Sequence, residues 1–275
     1  PLPNMISIEQ DDKVMAVINV ITLKEEDYIN NNFLVMSTRR GLVKKTSLEA
    51  YSRPRQNGIN AININEGDEL LDVKLTNGNN DIIIAARSGK ACRFHESDVR
   101  AMGRTATGVR GIRLASDEDE VIGMVCIEDR ETNLLVVSEK GYGKRSEVED
   151  YRITKRGGKG VKAMKVTEKT GELAAIKNVT DLDELMIINK SGVTIRMAIA
   201  QLRVMGRATQ GVRLIKLSEN DEISSVAKIE GLEAIEEVLG EEGIEQIVEN
   251  ELPTDEQTDG GQIDTEEEGN EEKND

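Results

Sequence analysis

Four glycines at a regular interval each have a cation four residues downstream: Lys45 after Gly41, Arg93 after Gly89, Arg145 after Gly141 and Arg196 after Gly192. A second basic series lies further along each interval, where Arg110 and Arg113 flank Gly111-Ile112, Lys162 and Lys165 flank Ala163-Met164, and Arg213 and Lys216 flank Leu214-Ile215. Asn60 and Asn63 hold those places in the first copy. The connecting loops add Arg53, Arg55, Arg100, Arg104, Arg152, Lys155, Arg156, Lys159, Arg203 and Arg207. Cations distributed in this way suit a polyanion, because each phosphate they neutralise releases condensed counterions whatever the base sequence. The segment Thr154-Lys155-Arg156-Gly157-Gly158-Lys159-Gly160 stands out. Its loop runs nine residues from Tyr151 to Gly160, against seven from Tyr51 to Gly58, six from Met102 to Gly108 and six from Met205 to Gly211. A longer, glycine-rich, cationic loop can lie close along a phosphate backbone.

Other chemistries find no support. His95 is the only histidine, so no Ser/His/Asp arrangement can be assembled, and it reads as a surface or capping residue. Gly158-Lys159-Gly160-Val161-Lys162-Ala163 loosely fits a dinucleotide fingerprint, which needs a helix after it; here a strand follows. A phosphate loop ending in Gly-Lys-Ser/Thr does not occur. Carboxylates recur at Glu66 to Glu69, Asp117 to Glu120, Glu168 to Glu172 and Glu219 to Glu222, without cation-ligand spacing, and read as solvated hairpin turns. Tyr51 and Tyr151 share a repeat position with Met102 and Met205, which marks all four as packing residues. Cys92 and Cys126 give neither a disulfide framework nor a metal spacing, and a reducing compartment is expected. No catalytic residue, metal or cofactor site is expected in this chain.

The elements that must carry these cations follow from the repeat. Apolar runs Leu34-Val35-Met36, Ile82-Ile83-Ile84, Leu134-Leu135-Val136 and Leu185-Met186-Ile187 each lead to one of the hairpin glycines, spaced 48, 52 and 51 residues apart. A second marker, Gly58-Ile59, Gly108-Val109, Gly160-Val161 and Gly211-Val212, repeats at 50, 52 and 51. Each unit predicts four short strands: apolar run, Gly turn, second strand, basic loop, third strand, acidic turn, fourth strand. Residues three apart on a strand face opposite sides, so exposing both cations of the second series requires a bulge at Arg110-Gly111, Lys162-Ala163 and Arg213-Leu214. The expected fold is all-β, a β-propeller or β-pinwheel of repeated four-stranded blades of about 50 residues each. The boundaries are 1–23, the end of a preceding blade; 24–75, 76–128, 129–178 and 179–230, four repeats; and 231–275, a short acidic helix followed by a disordered acidic tail. Four and a half units, opening at Pro1, are expected to be a piece of a larger ring.

Charge divides along the same boundary. The chain carries 36 Lys+Arg against 52 Asp+Glu, a net of −16, but residues 231–275 hold 18 of the acids and only Lys273, so residues 1–230 stand at +1. The acidic tail is expected to compete with an anionic ligand for the basic belt at about millimolar effective concentration. With no apolar run of about 18 residues and no charged-then-apolar leader, neither a membrane span nor a signal peptide is expected, and a cytoplasmic location follows.

One basic patch per blade makes a belt on a ring, which suits a curved polyanion such as duplex DNA. Bending about 20–30 bp by 40–90° costs roughly 1–6 kcal/mol, and micromolar binding supplies about 8 kcal/mol. Two Phe, four Tyr and no Trp argue against a single-strand stacking platform and against an interaction scaffold, which would want aromatic hot spots.

Arg100-Ala101-Met102-Gly103-Arg104, Thr107-Gly108-Val109-Arg110-Gly111-Ile112-Arg113-Leu114 and Gly141-Tyr142-Gly143-Lys144-Arg145 closely resemble the C-terminal domain of the bacterial DNA gyrase A protein. Val204-Met205-Gly206-Arg207 with Thr209-Gln210-Gly211-Val212 repeats the likeness, which covers residues 1 to about 230 and extends to the topoisomerase IV relative. It implies a six-bladed β-pinwheel that wraps duplex DNA on its rim and supports ATP-dependent negative supercoiling. The protein partners it implies are the rest of the gyrase A protein and the gyrase B protein. It places ATP and Mg²⁺ in other parts of the holoenzyme. The residues expected to meet DNA, from the charge pattern and this resemblance together, are Lys45, Arg93, Arg104, Arg110, Arg113, Arg145, Lys162, Arg196, Arg207 and Arg213, with Lys155, Arg156, Gly157, Gly158, Lys159 and Gly160 of the box-like loop. That loop matches the family's signature box except at Thr154, where the family has Gln. The principal box belongs to the family's first blade and is expected upstream of Pro1.

Overall fold

The computed structural model describes residues 13–128 and 131–230. Residues 13–25 contain no strand; Ala16, Ile18 and Val20 pack on a small core of Ile29, Leu34, Met36, Leu48 and Val73. The first repeat opens on a short helix absent from the sequence reading, α1 (Glu26–Asn31), followed by β1 (Phe33–Thr38), β2 (Leu42–Ser47) and β3 (Leu70–Thr76). The second contains β4 (Asp81–Ala86), β5 (Lys90–His95), β6 (Val109–Arg110) and β7 (Val121–Ile127). The third has β8 (Asn133–Ser138), β9 (Tyr142–Glu147), β10 (Val161–Lys162) and β11 (Leu173–Val179), and the fourth β12 (Glu184–Asn189), β13 (Thr194–Ala198), β14 (Val212–Arg213) and β15 (Ile223–Ile229). The expected acidic helix and tail lie outside the described residues.

The sheets do not coincide with the repeats. Their strand orders are β3-β1-β2-β6, β10-β5-β4-β7 and β11-β8-β9-β14, all antiparallel between neighbours. Each hairpin and the last strand come from one repeat, while the outermost two-residue strand comes from the next. The fourth sheet, β13-β12-β15, has three strands. Residues 58–60, where the first repeat would supply its own short strand, form no ladder among the described residues.

Glycine makes the exchange possible. Gly108, Gly160 and Gly211 precede the short strands at φ of +104°, +70° and +77°, and a Cβ on them would lie 2.7, 2.3 and 2.4 Å from the carbonyl oxygens of Val43, Ala91 and Gly143. The sequence marker is thus the point where one repeat enters its neighbour's sheet. The strands behind it are covered on both faces: Ile82, Ile83 and Ile84, and Leu134, Leu135 and Val136, are all fully buried. Two-sided burial explains why they read as unbroken apolar runs.

Candidate nucleic-acid interface

The cations four residues after the hairpin glycines do not form one surface. Lys45 Nζ lies 2.8 Å from the fully buried carboxylate of Glu96 in the next repeat. Arg93, 1% exposed, donates from Nε and Nη2 to Asp81 Oδ2 at 3.0 and 2.7 Å, and from Nη1 to the carbonyls of Val148 and Tyr151 at 2.7 and 3.2 Å. Arg145 donates to the Leu202 carbonyl and to Asp181. Their backbones do the same, since the carbonyls of Lys45, Arg93 and Arg145 accept from Met102, Thr154 and Met205. The expectation that Lys45, Arg93 and Arg145 meet DNA is therefore corrected: they are buried staples between repeats, because a buried cation must be paired and the next repeat's 3-10 turn presents unpaired carbonyls. Arg196, in the last sheet, is paired with Glu184 and exposed.

The residue just before the staple was not singled out in the sequence. Lys44 and Lys144 are buried, with Nζ donating to Ala61 and Arg104 carbonyls and to the Gly206 carbonyl at 2.7 Å, respectively. Burial lowers both ammonium groups from 10.5 to about 8. The signal lay in the adjacent cation pairs Lys44-Lys45 and Lys144-Arg145, one group of each reaching a loop and the other a turn.

The second series behaves as a surface. Arg110, Arg113, Lys162, Lys165, Arg213 and Lys216 are all exposed. The backbone irregularity that this requires lies one residue later than expected: Gly111 and Ile112 N–H both point at the Gly41 carbonyl (2.8 and 3.3 Å), Ala163 and Met164 at Gly89 (2.8 and 3.4 Å), and Leu214 and Ile215 at Gly141 (2.8 and 3.3 Å). Two amides opposite one carbonyl turn Ile112, Met164 and Ile215 inward between the outward cations.

The box-like loop lies against this strip. Gly157 N–H donates to the Gly111 carbonyl at 2.6 Å and Arg113 N–H to the Gly158 carbonyl at 2.8 Å. Arg156 is half-buried and spends its guanidinium on the carbonyls of Asp98 (2.9 Å) and Arg110 (3.2 Å), and Arg207 repeats the contact on Lys162 at 2.8 Å. Arg104 is half-buried. Lys155 and Lys159 are exposed. Of the loop's four cations, then, Arg152, Lys155 and Lys159 are exposed and Arg156 is a clamp.

Carboxylates sit at another edge. Glu69 and Glu120 hold Arg39 (2.9 and 3.2 Å), Glu120, Glu139 and Glu172 surround Arg87 (3.6, 3.2 and 2.5 Å), and Glu222 holds Lys190 (2.6 Å). Asp119 and Asp221 accept N–H bonds from Ser88 and Ser191, closing the hairpin turns. His95 accepts the Ser97 N–H as a cap, and Tyr151 is fully buried in the core.

The model of the family described as DNA gyrase C-terminal domain, beta-propeller, matches residues 32–77, 80–128, 132–180 and 183–230. The DNA gyrase A protein of Staphylococcus aureus strain MRSA252 is 43% identical over 272 residues, covering 97% of this chain and 30% of that protein. The same protein from strain NCTC 8325 is 45% identical over 230 residues, covering 83% of the chain and 25% of its own length, so the chain spans less than a third of the relatives it matches. Among solved structures, a topoisomerase IV C-terminal domain superposes with a TM-score of 0.78 at 22% identity over 91% of this chain and 75% of that one. A DNA gyrase A C-terminal domain does so at 0.72 and 23% over 83% and 74%. At those identities the two structures speak for the fold alone. With four successive repeats matched and the strand exchange running through all of them, the chain belongs to the DNA gyrase C-terminal domain family, with the β-propeller fold.

Proposed function

We propose that this chain binds duplex DNA through its backbone phosphates, without reading base sequence, and bends it around the outer strands. The carrying observation is the exposed pair of cations on each of three successive outer strands, Arg110/Arg113, Lys162/Lys165 and Arg213/Lys216, while the turn glutamates are occupied by Arg39, Arg87 and Lys190. Lys155 and Lys159 extend the first pair. The relatives are named as gyrase components, which supports a role as the DNA-wrapping part of a longer gyrase A protein that works with the gyrase B protein in the cytoplasm. In that reading the chain is not itself an enzyme, and ATP-driven, Mg²⁺-dependent strand passage belongs to the rest of the assembly.

The test is binding to random-sequence linear duplex across a salt series. Affinity should fall steeply with salt, with a slope of about −0.9 per neutralised phosphate. Replacing Arg110, Arg113, Lys162 and Lys165 by alanine should make the slope shallower by about 3 to 4. A flat response to salt, or no binding at low salt, would rule the reading out.

A further inference from the structure

An open cavity of about 450 Å³ lies where the third and fourth repeats meet. Lys140, Tyr142 and Lys169 line one wall, and Arg213, Lys216 and Ser218 the other. The Tyr142 hydroxyl accepts from Arg213 Nη2 at 2.9 Å and Nε at 3.3 Å. The Arg213 guanidinium is 5.5 Å and the Lys169 ammonium 5.6 Å from the Tyr142 ring centroid. Two cations are therefore held at one aromatic ring, and Lys216 lines the same cavity.

Glu219, Asp221 and Glu222 also line the cavity; Glu219 is exposed to solvent, and the other two are engaged by neighbouring side chains. Glu222 is held by Lys190 at 2.6 Å, and Asp221 accepts from Asn189 at 2.5 Å and Ser191 at 2.9 Å. Among the described residues no carboxylate lies within 4.0 Å of the Lys169, Arg213 or Lys216 side-chain nitrogens. Like charges this close repel, and an anion entering the cavity converts the repulsion to attraction. Tyr142 registers the excess: the bond from Arg213, with the charges of Arg213 and Lys169, holds its phenol below the ordinary 10.0. The other repeats have Leu42, Lys90 and Val193 at the Tyr142 position, so this arrangement is peculiar to one rim site.

We propose that this cavity is a phosphate-binding subsite in which Lys169, Arg213 and Lys216 take a single phosphate group and Tyr142 positions the Arg213 guanidinium. The source of the phosphate, a phosphodiester of duplex DNA, rests on the DNA-binding reading; free phosphate offers the same chemistry. Ser218 lines the site as a further hydroxyl donor.

The full chain is compared with three variants whose folding is checked by thermal unfolding: Tyr142→Phe, the triple Lys169→Ala/Arg213→Ala/Lys216→Ala, and Arg110→Ala/Arg113→Ala as a distant rim control. In duplex-DNA titrations across salt, the triple variant should lose affinity with a slope shallower by about 1, the mark of one shared phosphate. A change of about 3 would mean three separate phosphates and would overturn the subsite. Tyr142→Phe should weaken binding about fivefold, one hydrogen bond's worth, with the slope unchanged. In DNA-free samples, tyrosinate absorbance is followed against pH in inorganic phosphate and in chloride at matched ionic strength. A lowest tyrosine step that moves up in phosphate, and is missing in Tyr142→Phe, supports the subsite and shows it accepts free phosphate. A step that stays put while the triple variant loses DNA affinity assigns the site to phosphodiesters. If the control loses DNA affinity while the triple variant binds as the parent chain and phosphate moves nothing, the subsite falls and the DNA reading survives. If the parent chain binds no duplex yet phosphate moves the step, the DNA reading falls and the subsite stands.

Discussion

Arg93 and Val148 belong to different repeats, and a 2.7 Å hydrogen bond from the guanidinium of one to the carbonyl of the other fastens the second repeat to the third. The same guanidinium is neutralised by Asp81, a buried pair within its own sheet. Every repeat with a successor uses its cation in this way, so the positions most regular in charge are the least available to a ligand.

Arg93→Ala should therefore act on stability. It leaves Asp81 buried without its partner and two carbonyls unbonded, a loss of about 3–5 kcal/mol. Urea unfolding measures it. Under conditions where the variant stays folded, DNA affinity and salt slope should match the parent chain.

Lys155→Ala/Lys159→Ala and Arg156→Ala should separate in the opposite sense within one loop. Removing the two outward lysines should leave the unfolding midpoint in place and make the salt slope shallower by about 2. Removing Arg156 frees the carbonyls of Asp98 and Arg110 and should lower the midpoint, by about 1–3 kcal/mol of stability, with a smaller effect on the slope. The same DNA titrations and melts read both.

Gly160→Ala and Gly58→Ala have similar φ, +70° and +77°, but different surroundings: the first Cβ would strike the Ala91 carbonyl at 2.3 Å, whereas nothing lies within 4 Å of the second. Gly58→Ala should cost about 1–2 kcal/mol, the left-handed penalty alone. Gly160→Ala should cost more and release β10 from β5, seen as faster amide hydrogen exchange in the paired segment around Ala91 and Val161.

Stability should rise with pH between about 8 and 9. Lys44 and Lys144 have folded values near 8 against 10.5, so in that window the unfolded chain holds protons that the folded chain has shed. Above about 10.5, where the unfolded lysines have also shed their protons, the sign reverses. Burial pushes the Cys126 thiol from 9.0 and the Tyr151 phenol from 10.0 to about 12, so the unfolded chain loses protons that the folded chain keeps. Midpoints across a pH series should show a maximum, and Lys144→Met should flatten the rising limb.

Strands and glycines were legible because each is a local matter. Ile82-Ile83-Ile84 reads as a strand because the same apolar run before a hairpin glycine recurs four times, and the bulge follows, to within one residue, from demanding that Arg110 and Arg113 both reach water. The destination of the short strand was not legible: nothing in Val109-Arg110 says that its host is Leu42-Val43, a repeat away. The staples were misread for a related reason. A cation that recurs in every repeat looks the same whether it faces a phosphate or a neighbour's carbonyl, and only the packed turn at Val148 decides. Glu26–Asn31 carries no helical apolar pattern, and its one buried residue, Ile29, is set by packing.

The exchanged outer strands also bear on how such a chain can change in length. A deletion drawn around one sheet would remove a hairpin together with a short strand that belongs, in sequence, to its neighbour, orphaning both sides. A deletion of one whole period within the repeats rejoins equivalent points and leaves each retained hairpin that precedes another repeat with a donor strand from it. The heritable module is thus the sequence period rather than the blade seen in space: loops can vary by a few residues, but strands can be gained or lost only in whole multiples of that period.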